Sequence, residues 1–191
     1  SAGNIYFSDL GNSRIRKVDV ATGLISTVAG TGVLGYNGDS ISAVTAKINT
    51  PYGITLDNLG NIFFADKGNQ RVRKIELTSG YIYTVAGTGT TGYNGDNIPA
   101  VTATFYDPWD VDVDDDGNIF IADAINNRIR EVNTSGIIST VAGTGVFGSS
   151  GDGGPAISAQ LAYPHGVLVD GCGIIYITDY FYHRIRKVTS Y

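Results

Sequence analysis

An all-β fold of repeated antiparallel sheets is predicted by three observations: a fixed internal period, four strand-and-turn patterns in each period, and a composition rich in glycine, tyrosine, threonine and isoleucine. The period comes first, because self-similarity constrains architecture before any local propensity does. GNIYFSD at 3–9 returns as GNIFFAD at 60–66, GNIFIAD at 117–123 and GIIYITD at 173–179, at spacings of 57, 57 and 56 residues. RIRKV at 14–18 returns as RVRKI at 71–75, RIREV at 128–132 and RIRKV at 184–188, while TVAGTG stands at 27–32, 84–89 and 140–145. The repeats fall at about 1–50, 51–107, 108–163 and 164–191, and the 191 residues read as one repeat array whose units pack on their neighbours.

The second repeat shows the elements in order. PYGITLD at 51–57 reads as a strand, NLG as a tight turn, and NIFFAD at 61–66 as a second strand. KGNQ at 67–70 turns the chain, RVRKIEL at 71–77 makes the third strand, and TSG at 78–80 leads into the fourth, YIYTVAG at 81–87. Four short antiparallel strands make one β-propeller blade. The middle strands alternate imperfectly, as expected when both faces of a sheet are covered by neighbouring blades.

Long segments join the repeats: VLGYNGDSISAVTAKINT at 33–50, TTGYNGDNIPAVTATFYD at 90–107 and FGSSGDGGPAISAQLAY at 147–163. Loops of this length are functional or ordered by their own packing. Their alanine-rich stretches are expected to form a helical turn across one face. Tyr36 and Tyr93 recur at one site in two repeats, which favours packing over recognition. The glycine-rich GYNGD and GDGG are not followed by the Lys-Ser/Thr helix start of a phosphate loop.

Charge is patterned more tightly than its net value of −5 suggests. Eleven of the thirteen basic residues lie in the RIRKV-type segments, the others being Lys47 and Lys67. These arginines are expected to pair with the Asp that ends the preceding strand, namely Asp9, Asp66, Asp123 and Asp179, rather than to form a phosphate-binding belt; no nucleic-acid partner is expected. No apolar run is long enough to span a bilayer, so no membrane insertion is expected. The lack of an initiator Met or leader implies a mature or excised segment. Cys172 alone excludes an internal disulfide framework. Few lysines, no methionine and a sequon at Asn133-Thr134-Ser135 favour an extracellular or secreted setting.

The succession P-x-G-[IV]-x-[LV]-D, GN-[IV]-[YF]-[IF]-x-D, N-x-R-[IV]-R-[KE]-[VI] and TVAGTG, with GYNGD or GDGGPA following, resembles the bacterial-type NHL repeat over the whole chain. The resemblance implies a propeller, usually six-bladed, whose first strand lines the central channel and whose fourth is outermost. On that register the chain covers about three and a half blades: the first lacks its inner strand and the last its outer one. Such edges recruit partners, either further blades of a longer chain or other chains completing the array by strand addition.

Features shared by every blade build the blade, so departures from the repeat are the candidates for function. The third repeat concentrates Asp107, Asp110, Asp112, Asp114, Asp115 and Asp116 beside the only tryptophan, Trp109. Alternation places Asp110, Asp112 and Asp114 on one strand face. Asp112, Asp114 and Asp116 before Gly117 match the first half of a calcium loop and are candidate ligands for calcium, the one cofactor considered; against it, 118–123 reads as a strand and ends in Asp123 rather than a bidentate Glu. His165 stands where the other repeats have Tyr52 and Trp109, and one such His is too few for a zinc site. Tyr52, Trp109, Asp110 and His165 are therefore the candidate rim contacts.

Three functions stay open. The first is a non-catalytic binding or scaffold module with a protein partner. The second is a structural protein that associates with further copies of itself through incomplete blades. The third, implied by the family, is a metal-dependent lyase or hydrolase of the six-bladed class.

Overall fold

The computed structural model describes residues 3–189. Four antiparallel sheets follow one another along the chain as successive propeller blades. Blade 1 holds β1 (Ile5–Asp9), β2 (Arg14–Val18) and β3 (Ile25–Ala29). Blade 2 holds β4 (Ile41–Ser42), β5 (Pro51–Leu56), β6 (Ile62–Asp66), β7 (Arg71–Glu76) and β8 (Tyr81–Ala86). Blade 3 repeats it with β9 (Ile98–Pro99), β10 (Pro108–Val113), β11 (Ile119–Asp123), β12 (Arg128–Val132) and β13 (Ile137–Ala142). Blade 4 holds β14 (Pro164–Val169), β15 (Ile175–Asp179) and β16 (Arg184–Val188). The strands expected in each repeat are present, and β5, β10 and β14 lie side by side as the inner wall.

The linkers add a strand that the alternation pattern did not disclose. β4 pairs with the outer strand of the following blade through Ile41–Ile82 and Ser42–Tyr81, and β9 does the same through Ile98–Ile138 and Pro99–Ile137. These two linkers thus cover edges that would otherwise stay open. The alanine-rich stretches then form single 3₁₀ turns at Ala43–Thr45, Ala100–Thr102 and Ala156–Ser158.

Three apolar cores sit between the four blades rather than inside any one. Phe64 packs toward blade 1 and Phe63 toward blade 3, which is why the middle strands are apolar on both faces. Each linker also sinks one bulky residue, Ile48, Phe105 or Leu161, into the core it crosses. Full burial of such a side chain stabilises by about 1.5–3 kcal/mol, so the linkers are structural parts of the blades they join.

Asp66 and Asp123 are buried hubs. Asp66 accepts the backbone N–H of Asn49 (2.8 Å), the amide of Asn69 (2.8 Å) and the Arg73 guanidinium (3.3 Å). Asp123 accepts the Tyr106 N–H (2.9 Å) and the Asn126 amide (2.8 Å) in the same way, and forms a longer ion pair with Arg130 at 3.7 Å. The expected Arg–Asp pairing is therefore formed by the second arginine of each motif. The first arginine instead donates to carbonyls of the turns that flank its strand and follow the outer strand, as Arg71 does to Asn69 and Thr88 and Arg128 does to Asn126 and Thr144. Among the described residues no helix is long and apolar enough to cross a membrane.

Candidate functional site

The inner strands open with unusual backbone. Thr50, Asp107 and Tyr163 have φ of 49°, 57° and 52°, although each precedes a proline. Left-handed geometry is uncommon outside glycine, and proline further disfavours helical conformations in the residue before it. The bend delivers the second residue of each strand, Tyr52, Trp109 and His165, to one end of the wall.

Those three side chains form a ladder of rings, and a fourth extends it. Tyr52 and Trp109 lie 4.2 Å apart between ring centroids, tilted by 46°. Trp109 and His165 stack at 3.8 Å and 5°, and His165 and Tyr180 at 4.1 Å and 16°. Lys67 reaches over Trp109 (5.1 Å) and Tyr52 (5.4 Å) while its ammonium pairs with Asp107 at 2.9 Å. Burial, and then the Lys67 charge, lower the His165 pKa and favour the neutral imidazole.

Asp110 sits beneath the ladder, between two neighbouring inner strands. Its Oδ2 accepts the Val167 N–H at 3.0 Å, and its Oδ1 occupies the space that a Cβ on Gly53 would need. Burial raises its carboxyl to about 6, and the charge of Asp112 adds to the rise. Asp112 spans the same gap, accepting Thr55 Oγ1–H (2.8 Å) and Val169 N–H (2.8 Å).

Asp114 does not share that face, because β10 ends at Val113. It closes the hairpin instead, accepting the N–H groups of Asp116 and Asn118 and the amide of Asn118. The calcium loop expected from Asp112, Asp114 and Asp116 is therefore not assembled: Asp112 faces the adjacent blades, Asp114 faces its own turn, and Asp116 is exposed. Among the described residues no group of three His, Cys, Asp or Glu is placed to hold a metal ion.

The structure brings Tyr52, Trp109 and His165 into one cluster with Asp110 below. Sequence reasoning missed Lys67 and Tyr180, which take the same place in the turn after the second strand. The available signal was departure from the repeat, since blade 3 has Ala124 there. Tyr36 and Tyr93 take the packing role expected of them, each lying over an arginine at 3.9 Å.

Comparison with known proteins agrees with the propeller fold. A family model described as NHL repeat matches residues 105–131. NHL repeat-containing protein 2 of Homo sapiens is 24% identical over 96% of the chain, which spans 29% of that relative's length. A Bacteroides thetaiotaomicron protein of unknown function is 26% identical, with a TM-score of 0.76 over 96% of this chain and 44% of its own. An auxiliary nutrient binding protein from the same organism shares the fold at 18% identity and a TM-score of 0.70, covering 97% of this chain and 45% of its own.

Proposed function

We propose that this β-propeller array, which is similar to NHL-repeat proteins, is a non-catalytic binding module whose rim contacts are the ladder rings Tyr52, Trp109 and His165, with Asp110 and Tyr180. The observation that carries the reading is the ladder itself. It joins three different blades, on strands entered through residues of positive φ, and the ring at the shared position differs in each blade, Tyr52, Trp109 or His165. Strained backbone of this kind concentrates at binding sites, and aromatic anchors dominate interface energetics. His165 is enclosed by Trp109 and Tyr180 on its two faces, a setting suited to recognition rather than to metal-assisted turnover. A fold neighbour, an auxiliary nutrient binding protein, is consistent with binding as the task.

The partner is a protein in this reading. Selection of displayed peptides on the full chain, with counter-selection on Trp109→Ala, tests it. Peptides that bind the unsubstituted chain, quench the single tryptophan and lose affinity for the variant support the ladder. Binders indifferent to Trp109→Ala overturn it. The sequon at Asn133 lies in an exposed turn between β12 and β13, in keeping with an extracellular module.

A second reading, association with further copies, is favoured by β3 and β16, which lack an outer partner strand among the described residues. A mass by light scattering that rises with concentration would support it.

A further inference from the structure

The turn between β12 and β13 carries a side-chain amide where matching turns carry a carboxylate. Asp57 Oδ1 accepts the N–H groups of Leu59 (3.0 Å) and Asn61 (2.8 Å), and Asp114 Oδ1 those of Asp116 (3.1 Å) and Asn118 (2.7 Å). Asp170 Oδ1 does the same for Cys172 (2.9 Å) and Ile174 (3.0 Å). Asn133 Oδ1 accepts from the same two places in its own turn, Ser135 N–H and Ile137 N–H, both at 3.0 Å. Each turn closes on a glycine of positive φ, namely Gly60, Gly117, Gly173 and Gly136. The backbone geometry is shared, and only the second atom of the accepting side chain differs in kind.

In the three carboxylates that atom is a second acceptor. It takes the Asn61 and Asn118 amides at 2.8 Å each and the Tyr176 hydroxyl at 3.4 Å. Asn133 presents a donor nitrogen instead, and among the described residues Nδ2 donates to no group while Oδ1 makes both turn bonds. Asn and Asp serve such turns through the same oxygen, so folding gives no reason for the nitrogen. Blades 1 and 2 carry Asp19 and Glu76 after their third strands, which makes the amide peculiar to blade 3. Asn133, Thr134 and Ser135 are all exposed, in a five-stranded blade with neighbours on both sides, so the exposure belongs to the turn itself. β10 and β12 both run away from the ladder, and a Cβ on Gly117 would meet Thr134 at 3.9 Å. The turn therefore stands beside the Asp114 hairpin, at the end of the blade opposite the ladder.

We infer that Asn133 is an N-glycosylation site, with Nδ2 as the acceptor and Ser135 supplying the hydroxyl of the Asn-x-Ser signal. The donor is an oligosaccharide carried on a lipid pyrophosphate. A bond forms between Nδ2 and the anomeric carbon, the bond from that carbon to the pyrophosphate oxygen breaks, and one amide proton is released. Oδ1 keeps both turn bonds throughout, so the folded turn accommodates the modification. The glycan leaves from the end opposite the ladder and does not cover its rings. The inference rests on the extracellular setting proposed above and not on the ladder.

The test places the full chain behind a cleavable secretory leader in a host that N-glycosylates, and reads the intact mass of the secreted protein before and after peptide N-glycosidase. A loss of mass that maps to Asn133, converted to Asp by the enzyme, is expected. Asn133→Asp and Ser135→Ala should each be secreted without the glycan. Made in a host that does not glycosylate, Asn133→Asp should unfold at the same urea midpoint as the unsubstituted chain, because the accepting oxygen is retained. A folded, secreted chain of unmodified mass, or a glycan that persists on Asn133→Asp, would overturn the site. A urea midpoint lowered by Asn133→Asp would show that the fold uses the amide nitrogen and would remove the argument for it. Since the leader is supplied, these outcomes bear on the site alone, and the compartment of the chain in its own cells decides the setting separately.

Discussion

Arg73 and Arg130 are fully buried, each held by one wholly buried aspartate and by one from the preceding linker. Removing the wholly buried aspartate leaves two amide donors without their acceptor and the arginine with only its linker partner, so Asp66→Ala or Asp123→Ala should lower stability by about 3–5 kcal/mol, read from urea midpoints. Asp110 makes a different prediction, because no cation neutralises it. Its carboxyl lies at about 6 in the folded chain, above its ordinary 3.8, chiefly through burial. Between about pH 4 and pH 6 the folded state therefore retains a proton that the unfolded chain has released. This contribution is complete below about pH 4 and is lost as the pH rises through about 6. Asp110→Asn should thus gain stability relative to the unsubstituted chain as the pH is raised, measured by urea unfolding at either end of that window. An unchanged or falling difference would contradict the burial argument.

Among the elements, the strands were legible because their turns and apolar patterns recur with every blade. The Asp–Arg pairs could be read for the same reason: Asp66 with Arg73 and Asp123 with Arg130 recur at fixed distance along the chain. The two-residue β4 and β9 were not legible, since Ile41-Ser42 and Ile98-Pro99 are too short to show alternation and pair with strands some forty residues away. The ladder was half legible. Tyr52, Trp109 and His165 share a repeat position, whereas Tyr180 joins from a turn that the period places elsewhere. In the acidic hairpin spacing alone does not say where a carboxylate points, and Asp112 points across to Thr55 and Val169. Added calcium should accordingly leave the Tm unchanged in differential scanning fluorimetry. The linker tyrosines should matter more: Tyr93→Ala removes a cation–π contact and a hydrogen bond to Asp96, a loss of about 1–3 kcal/mol. Tyr93→Phe, which keeps the ring, should lose about 1 kcal/mol, and urea unfolding distinguishes the two.

At the scale of the whole molecule, the cores lie between blades, so each sheet's stability depends on its neighbours, as in other quasi-one-dimensional repeat arrays. Blades 2 and 3 are five-stranded, flanked on both sides, and crossed by linkers that plug their cores with Ile48 and Phe105. Blades 1 and 4 are three-stranded, and large apolar residues stand in solvent at their margins: Leu24 at 68%, Ile25 at 54% and Ile185 at 76% exposure. Local opening requires less energy where fewer apolar contacts are lost. Amide hydrogen exchange should therefore be slowest in β6, β7, β11 and β12 and faster in β3 and β16, by about 30-fold if the local stabilities differ by about 2 kcal/mol. A destabilising change at the interface of blades 2 and 3, such as Phe105→Ala, should speed exchange in both blades but only weakly in blade 4. Uniform acceleration across all sixteen strands would instead mean that the array opens as a single unit, and that the ladder, built from three blades, cannot respond to a ligand one blade at a time.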